Sequence, residues 1–299
     1  MISFDNVSKF ILSNINIHIP KGSVVGLVGA SGAGKTTFLR LACGFLQADV
    51  GKVYIDGNEQ KSFSVDKTGK IGALFADRPL FSDSESVCSN FEALRIAHGI
   101  SKWEFEYRYF KLASELGFDK FDGQKISSLS LGQRRRAELG AVLLHNPKVL
   151  ILDEPTSGLD ENAKDVLRKI IEKRAAEGVT VIISSHDLAD ISQVCNRIAF
   201  LDKGRLLYYG SEELFIRQFV PMDVMNVKLE GGLPDLEDLP VDRYFIENNV
   251  LTIKYNSNYI TSAEILRTIV SQTKIAEVNI SKADIEDAIL KIERDKENE

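Results

Sequence analysis

One stretch of the sequence decides the predicted fold, Gly29-Ala30-Ser31-Gly32-Ala33-Gly34-Lys35-Thr36-Thr37. The apolar run of residues 24–28 precedes it and the apolar-periodic segment 38–42 follows it, so it lies where a strand turns into a helix. Its spacing matches G-x-x-x-x-G-K-[ST], whose glycines let backbone N–H groups close around phosphate oxygens at a helix N-terminus. We expect Lys35 to reach the outer phosphates and the Thr36 hydroxyl to hold Mg²⁺. A glycine-rich turn that binds nothing does not need this spacing, but kinases, GTPases and many ATPases all share the loop.

Length and composition indicate a globular chain of two domains. The 299 residues are enough for a full α/β core and a smaller appended unit, and 44% hydrophobic with 27% charged residues argues against wholesale disorder. No apolar run approaches the roughly 18 residues that a membrane-spanning helix needs, and Asp5, Lys9 and His18 interrupt any signal-peptide core. We therefore expect the chain to be cytoplasmic.

The charge distribution predicts where the two domains meet. Residues 219–299 hold 9 basic and 16 acidic side chains, whereas the rest of the chain is nearly balanced. This break predicts one domain over residues 1–218 and a second over residues 219–299, and it offers no basic face for nucleic acid. Cys43, Cys88 and Cys195 are few and far apart, which argues against a disulfide partner or a cysteine metal site.

Two further apolar runs carry chemically active side chains at their ends. Residues 149–152 are consecutively apolar and lead into Asp153 and Glu154, and the strand-like run 179–183 leads toward His186. Ligands bind at the carboxyl ends of strands in open α/β sheets. We expect Asp153 to hold Mg²⁺ through water and Glu154 to polarise an attacking water. A lone histidine is more often structural, but the position of His186 favours contact with the terminal phosphate.

Local patterns predict several other elements. Residues 2–19 alternate loosely, which predicts two strands joined by a turn near Ser13-Asn14. Phe10, at the end of the first strand, fits a core position and a base-stacking position equally well. The S-x-x-E pattern predicts helices that open at Ser82 and at Ser101, and the polar residues 58–70 predict a surface loop.

The C-terminal part predicts a small α+β unit without a catalytic constellation. Strands are predicted over residues 225–229, 250–255 and 277–280, with a turn at 247–249. Capping patterns predict helices that begin near Thr261 and near Ser281. The charged residues 293–299 are expected to fray.

Taken together, these motifs resemble the ATPase subunit of an ATP-binding cassette (ABC) transporter over roughly residues 1–215. The phosphate loop, the signature peptide of residues 129–133, the strand with its two acids, the loop 157–160 and His186 occur in the order and spacing of that family. The resemblance implies an α/β fold, a P-loop NTPase core of the ABC type with an antiparallel β subdomain and a helical subdomain. It also implies that Phe10 stacks on the nucleotide base.

The resemblance further implies the ligands and the partners. Two cassettes, either two copies of this chain or this chain and a paralogue, would pair head to tail, with each ATP between the phosphate loop of one and the signature peptide of the other. The nucleotide contacts would come from Phe10, Gly29, Ala30, Ser31, Gly32, Ala33, Gly34, Lys35, Thr36, Thr37, Ser130, Gly132, Gln133 and Asp160. A separate transmembrane permease would meet the helical region 78–145 and hold the chain at the cytoplasmic face of the membrane.

Two positions depart from the family pattern. Leu131 stands where the family most often has glycine, and Ala76 stands where it usually has a glutamine that contacts Mg²⁺ and relays the state of the site to the permease. An alanine can do neither. We therefore expect either that Asp77 substitutes as an outer-sphere Mg²⁺ ligand or that hydrolysis is slow.

The leading interpretation is an ATP-hydrolysing subunit that powers a transporter. The C-terminal part resembles the extension of ABC-2-type exporter ATPases, which favours export over import. Ala76 motivates an alternative, an ATP-binding regulatory or sensing module of a membrane complex with weak or no turnover, although both Glu154 and His186 are retained. A soluble ABC ATPase of DNA repair or translation would need a long coiled coil or a second cassette, and the sequence has neither.

Overall fold

Strands and helices alternate through most of the computed structural model, which describes residues 1–60 and 70–297. The strands are β1 (Ile2–Lys9), β2 (Leu12–Ile19), β3 (Val24–Val28), β4 (Val50–Ile55), β5 (Asn58–Glu59), β6 (Ile71–Leu74), β7 (Val149–Asp153), β8 (Thr180–Ser184), β9 (Arg197–Asp202), β10 (Arg205–Gly210), β11 (Met222–Leu229), β12 (Val241–Glu247), β13 (Val250–Asn256) and β14 (Ile275–Ser281). The helices are α1 (Lys35–Ala42), α2 (Val87–Ala97), α3 (Lys102–Leu116), α4 (Leu131–Leu143), α5 (Glu161–Ala176), α6 (Leu188–Val194), α7 (Glu212–Phe219), α8 (Ser262–Gln272) and α9 (Ile285–Glu297). In the described ranges, none of these helices is both long and apolar enough to cross a bilayer.

A six-stranded sheet holds the strands that lead into the predicted site. Its order is β10-β9-β3-β8-β7-β6, and all neighbours from β9 to β6 are parallel. Every residue of β3, β7 and β8 is buried, as continuous apolar runs in parallel sheets predict. Because these three strands are neighbours, their carboxyl ends bring the phosphate loop, Asp153 and Ser184 to one edge of the sheet.

A second, antiparallel sheet has the order β2-β1-β4-β5 and shares a core with α1, where Phe4 stacks on Phe38 at 4.3 Å between ring centroids. The predicted turn near Ser13-Asn14 is wrong, because β1 and β2 are joined at Phe10-Ile11. Phe10 takes a φ of 52° in that turn. The predicted loop over residues 58–70 begins with β5, and its residues 61–69 lie outside the described part of the chain.

A helical region follows β6 and precedes β7. The helix predicted to open at Ser82 instead begins at Val87, and its cap is Ser86, whose hydroxyl accepts from the N–H of Ser89. The prediction at Ser101 is confirmed, since its side chain caps α3. Phe91, on α2, packs its ring at 5.1 Å from that of Tyr109 on α3.

The chain divides into the compact units Met1–Gly210 and Ser211–Glu299, rather than at the predicted position between residues 218 and 219. The difference is α7, which packs against α9 and buries Phe215 completely. The change in charge composition therefore comes one helix later than the change in packing.

The second unit contains an antiparallel sheet of order β12-β13-β11-β14, and α8 shares its core. The strands predicted over 225–229, 250–255 and 277–280 correspond to β11, β13 and β14, but β12 was not predicted. Asp284 rather than Ser281 caps α9, because Asp284 and Asp287 exchange reciprocal hydrogen bonds from backbone N–H to carboxylate. The helix continues through part of the segment expected to fray.

Candidate functional site

The phosphate loop connects β3 to α1, and its glycines fix its path. The φ angles of Gly29, Gly32 and Gly34 are 151°, 79° and 105°. A Cβ on Gly29 would lie 2.1 Å from the carbonyl oxygen of Leu201, and one on Gly34 would lie 2.6 Å from the side chain of Leu12. The loop therefore reaches α1 by a route that only glycines allow, and the N–H groups of the first turn have no intrahelical partner. Such a turn binds anions.

Lys35 lies folded over this loop. Its Nζ donates to the carbonyl oxygens of Gly29 at 2.7 Å and of Ala30 at 3.1 Å. Burial lowers the pKa of Lys35, and the negative charges of Glu154 and Asp153 oppose that shift. The ammonium is therefore held between the loop and two carboxylates, where a phosphate oxygen could exchange for a backbone carbonyl.

A hydroxyl and a carboxylate meet beside the lysine. The Thr36 hydroxyl donates to Asp153 Oδ2 at 3.1 Å, and the Ser184 hydroxyl donates to Asp153 Oδ1 at 2.5 Å. Asp153 is 7% exposed and Ser184 is fully buried. Hydroxyl and carboxylate oxygens are the donors that Mg²⁺ prefers, so this pair fits that ion.

Glu154 is held by both its backbone and its side chain. Its φ of 51° lies in the left-handed region, its N–H donates to Ser184, and its carbonyl oxygen accepts from Arg135 at 3.1 Å. Its Oε2 lies 2.6 Å from Nδ1 of His186 and accepts from the backbone N–H of His186 at 3.3 Å. The side chain of Glu154 is 25% exposed and that of His186 is 74% exposed, so both remain open to solvent.

Ion pairs behind the histidine fix the start of α6. Asp190 is 2% exposed and pairs with Lys164 at 3.2 Å and with Arg168 at 2.8 Å. Lys164 also donates to Asp187 at 2.7 Å, a contact that lowers the pKa of Asp187. Asp187 in turn caps α6. The residue next to His186 is therefore anchored to α5.

A cleft of about 510 Å³ opens onto Lys35, Asp153 and Glu154. Of the predicted site residues it is lined by Ser31, Gly32, Gly34, Lys35, Thr36, Thr37, Asp77, Asp153 and Glu154. Phe10 is 74% exposed in the turn next to Ile11, which lines the cleft. The core position for Phe10 is therefore wrong, since its ring is exposed with the Lys9 ammonium 4.9 Å from the ring centroid.

The signature residues lie at the beginning of α4. Ser130 caps the helix, since its hydroxyl accepts from the N–H of Gln133 at 3.3 Å while its own N–H donates to Gln133 Oε1 at 2.9 Å. Leu131 is 61% exposed, and a Cβ on Gly158 would lie 2.2 Å from it. Asp160 caps α5 through the N–H of Ala163. Within the described chain, Ser130, Gly132, Gln133 and Asp160 do not line the cleft.

Asp77 lies at the mouth of the cleft beside Ala76 and is engaged by a cation. Arg40, on α1, donates to Asp77 Oδ2, and this hydrogen bond is the main cause of the lowered pKa of Asp77. The Asp77 side chain is 60% exposed. A salt bridge thus joins the helix that carries Thr36 to the segment in which alanine replaces the usual glutamine.

Sequence reasoning did not assign roles to Ser184, Arg135 or Arg40. The role of Ser184 could have been predicted, because it ends an apolar run just as Asp153 does. The two strands are neighbours in the sheet, and Ser184 lies opposite Asp153. Arg135 and Arg40 lie on helices whose facing residues depend on tertiary packing, and the run of three arginines at 134–136 does not indicate which of them is buried. The structure instead buries Arg135 to 8% exposure.

The combination of this loop, carboxylate strand and helix cap has relatives among known proteins. The family model described as ABC transporter matches residues 12–157. The lantibiotic transport ATP-binding protein SrtF of Streptococcus pyogenes is 34% identical over an alignment of 223 residues that covers 72% of this chain and 94% of that protein. The chain belongs to the ABC transporter family.

Further similarities support the same fold. A methionine import ATP-binding protein, MetN, of Clostridioides difficile is 33% identical over 228 residues, covering 73% of this chain and 71% of that protein. A solved ATP-binding cassette in a dimeric post-hydrolysis state bound to ADP and Pi is 26% identical with a TM-score of 0.62, over 71% of this chain and 98% of that one. This chain is therefore an ABC ATPase with the P-loop NTPase fold of these cassettes.

Proposed function

We propose that this ABC ATPase binds Mg·ATP between two cassettes, hydrolyses it, and so powers an exporter through a separate membrane-spanning permease. The second cassette is a copy of this chain or a paralogue. The observation that carries the proposal is the separation of two half-sites. The cleft holds the phosphate loop and both carboxylates, while the capped start of α4 lies outside its lining. A signature helix brought by a partner would supply the missing side of the site.

Side chains in and around the cleft have distinct tasks in this proposal. Lys35 turns from the loop carbonyls to the outer phosphates, and the N–H groups opening α1 bind the same oxygens. Phe10 stacks on the base. Ser130 of the second cassette, with the positive end of its helix dipole, meets the γ-phosphate from the other side.

The metal and the water are handled by the side chains at the strand ends. Thr36 and Asp153 would hold Mg²⁺, which when bound neutralises charge on the phosphates. Glu154 accepts a proton from the attacking water. Its contact with Nδ1 of His186 holds the carboxylate in the orientation that this step needs. His186, largely exposed, reaches the terminal phosphate.

Asp77 takes the outer-sphere role that Ala76 cannot fill. Its carboxylate lines the cleft, and its salt bridge to Arg40 holds it above the helix of Thr36. The test is Mg²⁺-dependent ATPase activity of Asp77→Ala, for which the proposal expects a weaker apparent affinity for Mg²⁺. Unchanged turnover together with unchanged metal affinity would remove Asp77 from the site.

Ala76 also favours a second candidate function, an ATP-binding regulatory or sensing module with little turnover. Glu154→Gln separates the two candidates. Loss of a general base costs about 10²- to 10⁴-fold in rate, so the ATPase proposal expects turnover to fall by that factor while ATP still binds and drives two chains together. A variant that binds ATP and dimerises but turns over no more slowly than the parent supports the regulatory function.

We propose export because the sequence of the C-terminal unit, which folds as an α+β unit, resembles the extension of ABC-2-type exporter ATPases. Inside-out vesicles that carry the chain and its permease test it. Export predicts ATP-dependent accumulation of substrate inside these vesicles. ATP-dependent loss of preloaded substrate from the same vesicles would indicate import.

A further inference from the structure

An edge strand of the second unit leaves large apolar side chains in solvent. β12 pairs with β13 on one side, and no strand in the described ranges pairs with its other side. Tyr244 is 47% exposed, Phe245 is 49% exposed and Ile246 is 39% exposed. An open edge with such side chains is a template for pairing with another strand. The sequence of β12 indicates which strand it pairs with.

The register with β13 assigns the side chains of residues 243–247 of β12 to the two faces of the sheet. Tyr244 lies opposite the buried Ile253, so it projects on the face that carries the core of this unit. Because side chains alternate, Arg243, Phe245 and Glu247 project together from the opposite face. Over residues 243–247, one face of the edge is therefore apolar, and the other is an aromatic ring flanked by opposite charges.

This arrangement is complementary to itself. We propose that two copies of this chain join their β12 strands in an antiparallel pair, with Phe245 of one opposite Phe245 of the other. In this register Arg243 faces Glu247 twice and Tyr244 faces Ile246 twice, so these two charges meet their opposites and these apolar side chains meet each other. Asp242, the remaining charge of the strand, lies 3.6 Å from Arg243 in its own chain. The two four-stranded sheets become one continuous sheet across a two-fold axis.

Other pairings lack this match. In a register centred on Tyr244, Arg243 would face Phe245 and the opposite charges would no longer meet. β14, at the other edge of the sheet, carries Glu277 as its single charged residue, so pairing β14 with itself forms no pair of opposite charges. The charge pattern thus selects β12 and one register.

The consequence is a contact between chains that needs no nucleotide. Two chains joined at β12 keep their cassettes at a high effective concentration when no ATP holds them together. This inference does not depend on hydrolysis or on the direction of transport.

Charge reversal tests the pairing in the full chain without nucleotide. Sedimentation velocity should show a concentration-dependent dimer. Arg243→Glu or Glu247→Arg alone creates two like-charge pairs and should raise the dimer dissociation constant roughly tenfold, whereas the double variant should restore it toward the parent value. Arg267→Glu, an exposed reversal on α8, is the control and should have no effect. A monomer at all concentrations, or a dimer that is indifferent to both single reversals, would overturn the proposal.

Disulfide cross-linking tests the register independently, in chains with Cys88, the exposed native thiol, changed to serine. Cα atoms of directly opposite residues lie about 4.5–5.5 Å apart, which a disulfide spans. Phe245→Cys should therefore cross-link to itself, and Arg243→Cys should cross-link to Glu247→Cys only in a mixture of the two. Tyr259→Cys is the control, since it is 78% exposed in the same unit but off the strand. Cross-linking of Phe245→Cys no faster than the control would show that another partner, or solvent, covers the edge.

Discussion

The backbone at Glu154 stores strain, and the strain can be measured apart from the chemistry. Glu154 is a non-glycine residue whose φ of 51° lies in the left-handed region. That conformation costs a residue with a Cβ roughly 1 kcal/mol more than it costs glycine. Glu154→Ala and Glu154→Gly both remove the carboxylate and its contact with His186. The difference between their free energies of unfolding therefore measures the cost of placing a Cβ at this φ.

We expect Glu154→Gly to be more stable than Glu154→Ala by about 1 kcal/mol, or roughly 2–4 °C in Tm for a domain of this size. The assay is thermal and urea unfolding of both variants without nucleotide. Lys169, exposed within α5, is the matched control, because there the alanine variant should exceed the glycine variant by about 1 kcal/mol. If Glu154→Ala proves as stable as Glu154→Gly, the strain at this carboxylate is not stored in φ, and the account of its positioning fails.

Three further outcomes follow from the same contacts. Asp190→Ala should lower the free energy of unfolding by about 2 kcal/mol, because Lys164 and Arg168 each lose one carboxylate, although Asp187 and Asp165 still pair with them. A loss under about 1 kcal/mol in chemical denaturation would mean that the network is not stabilising. Burial raises the pKa of the Cys43 thiol to about 12 from an ordinary 9.0. Above pH 9 the unfolded chain therefore loses a proton that the folded chain keeps, and the free energy of unfolding falls by up to about 1.4 kcal/mol per pH unit. Cys43→Ala should flatten the dependence of this free energy on pH between 9 and 11, and an unchanged slope would contradict the shift. Gly29→Ala should abolish nucleotide binding and lower the free energy of unfolding, because its Cβ meets a backbone carbonyl. The Cβ of Gly32→Ala meets no atom within 4 Å, so this variant should lose only the free energy that its positive φ costs. Equal losses of Tm and of ATP affinity in the two variants would refute this distinction.

The elements predicted correctly from the sequence are those in which one local sequence feature determines the structure. β3, β7 and β8 are buried on both faces, so continuous apolar runs identify them, and parallel strands place their carboxyl ends together. The spacing of glycines and lysine identifies the phosphate loop for the same reason. Asp153 follows directly as the last residue of its strand.

The parts that the sequence missed depend on contacts between distant residues. Both Ser82 and Ser86 are capable of capping a helix, and the choice falls to Ser86 because Asn90, one turn into α2, bonds back to the backbone of Ser82. β12 was missed because both of its faces are exposed, so its apolar residues do not alternate with polar ones. The salt bridge of Asp77 joins residues that are far apart in the chain, and no local pattern reports it.

We propose that one ATP is bound by the loop of one chain and the signature serine of another. The most direct test of this proposal mixes two chains in the Glu154→Gln background, one carrying Lys35→Ala and the other Ser130→Arg, and measures ATP that stays bound through gel filtration with Mg²⁺. Neither chain alone can build a complete site, but a mixed pair has one intact loop facing one intact signature. We expect only the mixture to retain ATP. Retention by the Ser130→Arg chain alone, at the level of the mixture, would show that each chain completes its own site and would contradict the account.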